Sequence, residues 1–250
     1  MKNIFTCHLT LVPLRSEPSH RSELVSQIFF GETFELLEEG QEFSKIRLLN
    51  INYEGWIQNY QFGQLSTFNA EQSSIIGIQG GVAKSDDHII QLLHGTPIIN
   101  NRIEINNKVY EISGEIIKPS LLNFELEFKK LIQFYKDTPY LWGGRSKYGI
   151  DCSGFSQLVY SHFGIELLRD AWQQATLGKT VDFLTEIKAG DLAFFDNDEG
   201  RITHVGIMID KDLIIHASTQ VRIDKMDSQG IYNADLNKYT HKLRIIKRYF

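Results

Sequence analysis

Two cysteines in 250 residues, Cys7 and Cys152, are too few to staple a fold, which excludes the disulfide framework typical of small secreted domains. The pair has the option of one bond, but the polar, glycine-flanked setting of Cys152 suits a free thiolate better. A dense Lys/Arg block is also missing, and the formal net charge is −5. A polyanion binder needs a basic face, so nucleic acid is not an expected partner. Lys242, Arg244, Lys247 and Arg248 alternate with apolar residues and read as the solvent side of a final strand. No stretch approaches the roughly 20 apolar residues that cross a bilayer. The first residues, MKNIFTCHLTLVPLRSEP, are interrupted at His8, Thr10 and Pro13, where a secretory leader needs an unbroken apolar run. The expectation is a cytoplasmic protein with no membrane partner. Tight metal spacings such as Cys-x-x-Cys or His-Glu-x-x-His do not occur either, so neither a metal nor another cofactor is expected.

What is present is ordinary for a soluble globular chain, 42% hydrophobic and 23% charged, which leaves material for a core. From residue 1 to about 65, short alternating runs such as Phe34–Leu37, Phe43–Leu48 and Glu54–Ile57 read as strands of a small barrel. Residues 66–74 look like a linker. A second β module follows to about residue 118, with runs at Ile75–Ile78, Gly81–Ala83, His88–Leu93, Thr96–Ile99 and Lys108–Ile112. After Pro119 the period changes. Leu121–Tyr135 shows helical spacing, and Cys152–Phe163 reads as a helix ending at Gly164. Short strands then recur at Leu192–Phe195, His204–Ile209, Leu213–Ala217 and Leu243–Tyr249. Helix first and sheet afterwards is an α+β order. The expected domains are 1–65, 66–118 and 119–250.

The strongest local signal is Gly149-Ile-Asp-Cys-Ser-Gly-Phe. A glycine loop delivers Cys152 to the start of a helix, where unpaired amides and the helix dipole favour an anion and are expected to lower the thiol pKa. The same amides suit a developing oxyanion. A thiolate hydrolase also needs an imidazole to protonate the leaving amine. His204 and His216 lie on two strands joined by Asp210-Lys-Asp, a short turn that places them side by side. One is then the base and the other its orienting partner. An inert core cysteine and two hydrogen-bonded sheet-edge histidines are the bland alternative for each residue alone. An open zinc site built from Cys152, His204 and His216 is a further alternative.

Taken in order, Tyr140-x-Trp-Gly-Gly-Arg, Gly149-Ile-Asp-Cys-Ser-Gly-Phe, Gly190-Asp-Leu-Ala-Phe-Phe, His204-Val-Gly-Ile and Ile215-His-Ala-Ser resemble the NlpC/P60 peptidases. The resemblance covers roughly 121–250. It implies a papain-like domain that cleaves cell-wall stem peptides, with Cys152 as nucleophile, His204 as base and His216 as third polar residue. The N-terminal half is similar to the bacterial SH3-like modules of γ-D-glutamyl-L-diamino acid endopeptidases, through Leu14-Arg-Ser-Glu-Pro, Ser22–Gln27, Phe30-Gly-Glu and Tyr53-Glu-Gly-Trp-Ile. In that subgroup a Glu and a Tyr of the first module, with the Asp and Ser flanking the cysteine, hold the free amine of an N-terminal L-alanine. Those roles fall on Glu17, Tyr53, Asp151 and Ser153. Tyr140 and Trp142 are expected to line the cleft. Leu168–Gln174 resembles a segment near substrate, where Arg169 is expected to meet a substrate carboxylate, with Asp170 beside it. The family commonly has Ser or another small polar residue after that Asp, and this chain has Ala171.

The resemblance thus implies an endopeptidase acting on murein-derived peptides such as L-Ala-γ-D-Glu-diamino acid. The alternative is a secreted hydrolase of intact peptidoglycan with its SH3-like modules as wall anchors. A catalytically silent binding protein is disfavoured because Cys152 and His204 are both retained. The oligomeric state is not legible from the sequence.

Overall fold

The computed structural model describes residues 4–66, 74–86 and 88–250. It divides into two compact units, Met1–Leu121 with Ser161–Gly164, and Leu122–Tyr160 with Ile165–Phe250.

In the N-terminal unit, short alternating runs cut by turn residues give β1 (Ile4–Cys7), β2 (Leu11–Arg15), β3 (Leu24–Phe29), β4 (Thr33–Glu39), β5 (Phe43–Leu48), β6 (Tyr53–Gln58) and β7 (Phe62–Gln64). They form one antiparallel sheet in the order β3-β2-β6-β5-β4-β1-β7. Because side chains alternate across a strand, Val12 and Leu14, Ile46 and Leu48, and Ile57 reach one common core with Cys7, Ile28 and Phe34. A second sheet contains β8 (Ser74–Lys84), β9 (Ile89–Leu92), β10 (Pro97–Ile98), β11 (Arg102–Ile105) and β12 (Lys108–Ile117). The two runs expected at 75–78 and 81–83 belong to the single strand β8. Its pairing with β12 runs from Lys84 to Gly81 and resumes at Ile76, the break being taken up by a register shift between Gly114 and Ile116. Of the expected linker, residues 67–73 lie outside the described residues.

The two sheets share buried side chains. Phe30 and Leu65, from the first stretch of chain, belong to the core built by Ile76, Ala83, Leu92, Ile98, Ile105, Tyr110 and Ile112. The Phe30 ring meets Tyr110 edge-on at 5.6 Å between centroids. Backbone bonds reinforce the junction, with Ser66 N–H donating to Glu104 O at 3.1 Å and Asn106 N–H to Gln64 O at 3.0 Å.

The C-terminal unit opens with α1 (Phe124–Tyr135). This helix starts three residues later than its apolar spacing suggests. Asn123 takes a left-handed conformation at φ 59, which an asparagine tolerates, and the preceding Leu121 and Leu122 stay exposed. There follow β13 (Arg145–Ser146), β14 (Gly149–Ile150), α2 (Cys152–His162), α3 (Ala171–Gln174), β15 (Lys179–Thr180), β16 (Leu192–Asp196), β17 (Ile202–Met208), β18 (Leu213–Ala217), β19 (Val221–Met226), β20 (Gly230–Asn233) and β21 (Lys238–Arg248). The sheet runs β15-β21-β16-β17-β18-β19-β20, and β20 pairs again with β21, so β16 to β21 close into a ring. One face is a single apolar cluster of Ala193, Phe195, Met208, Ile214, Met226, Ile231 and Ile246. By the two-residue period of a strand, His204 and Gly206 share the face of Met208, His216 that of Ile214, and Asp224 that of Met226. Both cysteines are free and buried. Among the described residues no helix is long and apolar enough to cross a membrane.

Phe30→Ala removes a fully buried ring from the core of the second sheet, and the expected cost is about 3–5 kcal/mol. Equilibrium urea denaturation reads it. A loss below about 1 kcal/mol, well short of that range, would show that the two sheets do not depend on this side chain.

Candidate active site

Cys152 is the first residue of α2, and Asp151 caps that helix. The Gly154 N–H donates to Asp151 Oδ1 at 2.6 Å, and the first helical backbone bond runs from Phe155 N–H to Asp151 O at 2.9 Å. The other carboxylate oxygen accepts from Gly143 N–H at 2.9 Å, which ties the Gly143-Gly144 loop to the cysteine turn. Gly154 is required by space. A Cβ there would lie 2.4 Å from the Gly144 carbonyl oxygen, so the Cys-Ser-Gly and Trp-Gly-Gly motifs are two sides of one close backbone approach.

Arg169 departs from expectation. Its guanidinium is 2% exposed and is occupied within the protein. It donates to Asp151 Oδ2 at 2.5 Å and Oδ1 at 3.1 Å, and to Ser153 Oγ at 2.8 Å. The two-pronged carboxylate pairing anticipated with substrate is made to Asp151 instead, because a buried carboxylate at a helix start needs a buried counter-charge. The Ser153 hydroxyl in turn donates to Asp151 Oδ1 at 3.3 Å. Asp170 begins α3, and its N–H donates to the Gln173 side-chain oxygen at 3.0 Å. Ala171 is buried. The Gln174 amide donates to Ser153 O at 3.2 Å and Leu168 O at 2.8 Å, so the Leu168–Gln174 segment is anchored to the nucleophile turn.

The hairpin expected from Asp210-Lys-Asp is present. Asp210 Oδ1 accepts the N–H groups of Asp212 and Leu213, each at 2.8 Å, an Asx-type turn. Its register sets Gly206 opposite His216, which puts His204 diagonally across from His216 on the same face. Glycine is needed opposite His216, because a Cβ on Gly206 would stand 2.9 Å from the His216 Cβ. His204 Nε2 and His216 Nδ1 are 2.9 Å apart, and His216 Nε2 is 3.0 Å from Asp224 Oδ2. Arg222 grips Asp224 through both carboxylate oxygens, at 2.6 and 2.8 Å.

This chain fixes the tautomers. Ionised Asp224 only accepts, so His216 carries its hydrogen on Nε2 and presents Nδ1 as acceptor. His204 therefore carries its hydrogen on Nε2, and its Nδ1 is left with a lone pair. Two members were missed from the sequence. Asp224 sits on β19, where charged residues at alternate positions hide the strand, and the visible signal was the period-two placement of Asp224 with Met226. His241 precedes the apolar run that marks the last strand, in polar Lys238–Lys242. Its ring stacks on His204 at 4.1 Å and 25°.

Electrostatics differ from the sequence expectation. Burial, and then the Asp151 carboxylate, push the Cys152 thiol up to about 12 rather than down. The N–H groups of Val205 and Ser153, which point at the sulfur, and the Arg169 charge pull the other way without prevailing. The Val205 contact places the sulfur against the strand that carries His204. Burial, with His241 and His216 adding, holds the His204 imidazole well below its ordinary range. The resting pair is thus neutral thiol and neutral imidazole. Tyr140 is half-buried near this centre, and burial, then Cys152 and Asp151, raise its phenol. Trp142 is exposed, at 57%. In the N-terminal unit, Glu17 lies exposed in the turn after β2, and Tyr53 opens β6 and packs against the first core.

Two outcomes follow from these contacts. With the thiol held up, alkylation of Cys152 by iodoacetamide, followed by mass spectrometry of its peptide, is expected to rise with pH through pH 9. The thiolate fraction grows about tenfold per unit below the pKa; a rate already level below pH 7 contradicts the neutral resting pair. Arg169→Leu leaves Asp151 buried without its partner and is expected to destabilise the C-terminal unit by about 3–5 kcal/mol. A change near zero in urea denaturation contradicts the clamp.

With the geometry in place, the chain can be set beside known proteins. A profile of the NlpC/P60 family matches residues 137–240, and one for the bacterial dipeptidyl-peptidase Sh3 domain matches residues 14–61. The gamma-D-glutamyl-L-lysine dipeptidyl-peptidase of Bacillus subtilis (strain 168) is 44% identical over 86 residues, 34% of this chain and 29% of that protein. The chain thus spans under a third of that relative's length. The probable endopeptidase NlpC homolog of Haemophilus influenzae is 34% identical over 151 residues, 59% of this chain and 77% of that protein. The crystal structure of an NlpC/P60 family protein from Bacillus cereus ATCC 10987 superposes with a TM-score of 0.77 at 18% identity, covering 98% of this chain and 99% of that one. The fold is the α+β, papain-like one, with small SH3-like β modules ahead of it. On these grounds the chain belongs to the NlpC/P60 family.

Proposed function

We propose that the protein is a cysteine peptidase that hydrolyses the γ-D-glutamyl–diamino acid bond of murein-derived peptides bearing a free N-terminal L-alanine, and that it works in the cytoplasm on recycled fragments. The observation that carries the peptidase reading is the His204–His216–Asp224 chain, with distances of 2.9 and 3.0 Å. It leaves His204 Nδ1 as a base beside a strand whose Val205 N–H points at the Cys152 sulfur.

In this reading Cys152 Sγ attacks the scissile carbonyl as His204 Nδ1 takes the thiol proton, and the same nitrogen then delivers that proton to the departing amine. An imidazole held well below its usual range is a weak base but a strong acid once charged. It is therefore matched to the second half of the exchange, protonation of a poor leaving group. His216 holds the ring in place, and Asp224 stabilises the cation that forms. Amides at the start of α2 stabilise the oxyanion.

The substrate reading rests on the joint occurrence of the two matched regions and on the gamma-D-glutamyl-L-lysine specificity in the name of the Bacillus relative. A ligand ammonium entering a partly closed site needs an anionic partner. Asp151 is already paired with Arg169, so in this reading the ammonium needs a further anionic partner, and Tyr140 and Trp142 lie along the peptide.

Mass spectrometry of L-Ala-γ-D-Glu-diamino acid incubated with the protein is expected to show release of the diamino acid. The N-acetylated peptide is expected to stay intact, and Cys152→Ala to abolish turnover. Turnover by Cys152→Ala removes the mechanism. Equal cleavage of the acetylated peptide removes the free-amine requirement, and preference for polymer-linked stems replaces recycling with hydrolysis of intact wall.

A further inference from the structure

The catalytic histidines do not stand as a pair. His204, His216 and His241 each present one ring nitrogen, and all three atoms lie within 4.8 Å of one another. We propose that these three imidazoles form a binding site for a divalent transition-metal ion, with Zn2+ the best-matched ion, and that occupancy switches the peptidase off. The binding half stands on the side chains alone; the inhibitory half rests on the peptidase reading.

Three imidazoles and one water make the open, four-coordinate arrangement that Zn2+ accepts. With Zn–N distances of about 2.0–2.1 Å, tetrahedral ligand atoms sit about 3.3 Å apart. His204 Nε2 and His216 Nδ1, at 2.9 Å, need to part only slightly, while the His241 ring closes in. The surroundings supply what a ligating histidine requires, a partner for its other nitrogen. His216 Nε2 rests on Asp224, itself fixed by Arg222. His241 Nδ1 lies 2.9 Å from Thr240 Oγ1, which leaves Nε2 to bind. His241 is partly exposed, so the site has an entry, and Phe195 stands as an apolar wall 5.8 and 6.0 Å from the His204 and His241 rings.

The route to inhibition is a tautomer shift. The ion takes the place of the hydrogen between His204 Nε2 and His216 Nδ1. That hydrogen is not lost; it moves to His204 Nδ1, and the ring remains neutral. The nitrogen that accepts the thiol proton is then already protonated, so the base is gone while Cys152 stays a thiol. Water is the expected fourth ligand.

The test is a Co2+ titration of the chelator-treated full chain. A single equivalent is expected to give the visible bands of four-coordinate cobalt, without the near-ultraviolet charge-transfer band of a thiolate ligand, and Zn2+ is expected to bleach them. His241→Phe, which keeps a ring against His204, is expected to weaken Co2+ binding about tenfold or more. X-ray absorption at the zinc edge of the unmodified protein, which needs no variant to fold, is expected to count three imidazoles and no sulfur. Absence of visible bands, unchanged affinity in His241→Phe, or sulfur in the zinc shell each overturns the site. Peptide hydrolysis that continues with the zinc site filled overturns the inhibition alone. Because the cobalt spectrum is read without substrate, a failure of the peptidase reading remains separable from a failure of the metal site.

Discussion

One carboxylate organises the nucleophile end of the molecule. Asp151 accepts the Gly154 amide that starts α2, the Gly143 amide of the facing loop, the Ser153 hydroxyl and two guanidinium nitrogens of Arg169. Each of these donors would otherwise be an unsatisfied group in a buried setting, and together they come from three stretches of chain, the Gly143 loop, the first turn of α2 and the segment that carries Arg169. A buried ion pair is not by itself a source of stability, because desolvating both charges roughly cancels their attraction. Its value here is geometric. Removing any one partner leaves the others exposed to the full cost of an unpaired polar atom, so the loop, the helix start and the Leu168–Gln174 segment hold one arrangement together. Cys152, the residue next in sequence to that carboxylate, inherits its position.

The same carboxylate works against the chemistry expected of a helix N-terminus. A dipole and two N–H groups favour a thiolate, yet burial, and after it the Asp151 carboxylate, outweigh them. On the other side, the polar end of an otherwise apolar sheet face keeps His204 uncharged. The cysteine and its base therefore carry no charge at rest. Charge separation is deferred until a carbonyl is in place to share it, which keeps the sulfur in its less oxidisable form between turnovers.

How much of this was legible beforehand depends on what each residue needs from its neighbours in sequence. Cys152, His204 and His216 were readable because their signals are local: a glycine turn before a helix, and two apolar strands joined by three polar residues. Strand order and closure through β20 and β21 were not, since register between distant segments leaves no periodic mark. Asp224 and His241 were overlooked for the same reason. Each sits on a strand that mixes polar or charged residues among its apolar ones, and each acquires meaning only from a histidine on another strand. Arg169 shows a subtler gap. Its expected partner was a substrate carboxylate and its actual one is Asp151, because sequence alone does not tell a protein carboxylate from one on a ligand. Burial at 2% decides it. The helix α1 began late because a single asparagine conformation outweighed three residues of apolar pattern.

The arrangement at His204 also couples two properties that are usually considered apart. To orient a base by hydrogen bonds inside a dry sheet face, a protein must aim the N–H of one ring at the lone pair of the next, fix their tautomers with a carboxylate behind, and exclude protons through burial. Those three conditions are the same ones that create a good ligand set for a soft or borderline metal ion. A relay made of Asp or Asn behind a single histidine avoids the difficulty, because one imidazole binds a metal weakly. Here the third polar residue is itself a histidine, and a third ring stacks on the first at 4.1 Å. The choice of His216 as the orienting group, needing Asp224 behind it to set its own tautomer, thereby lengthens the relay by one member and exposes it to a competitor that a shorter relay would not attract.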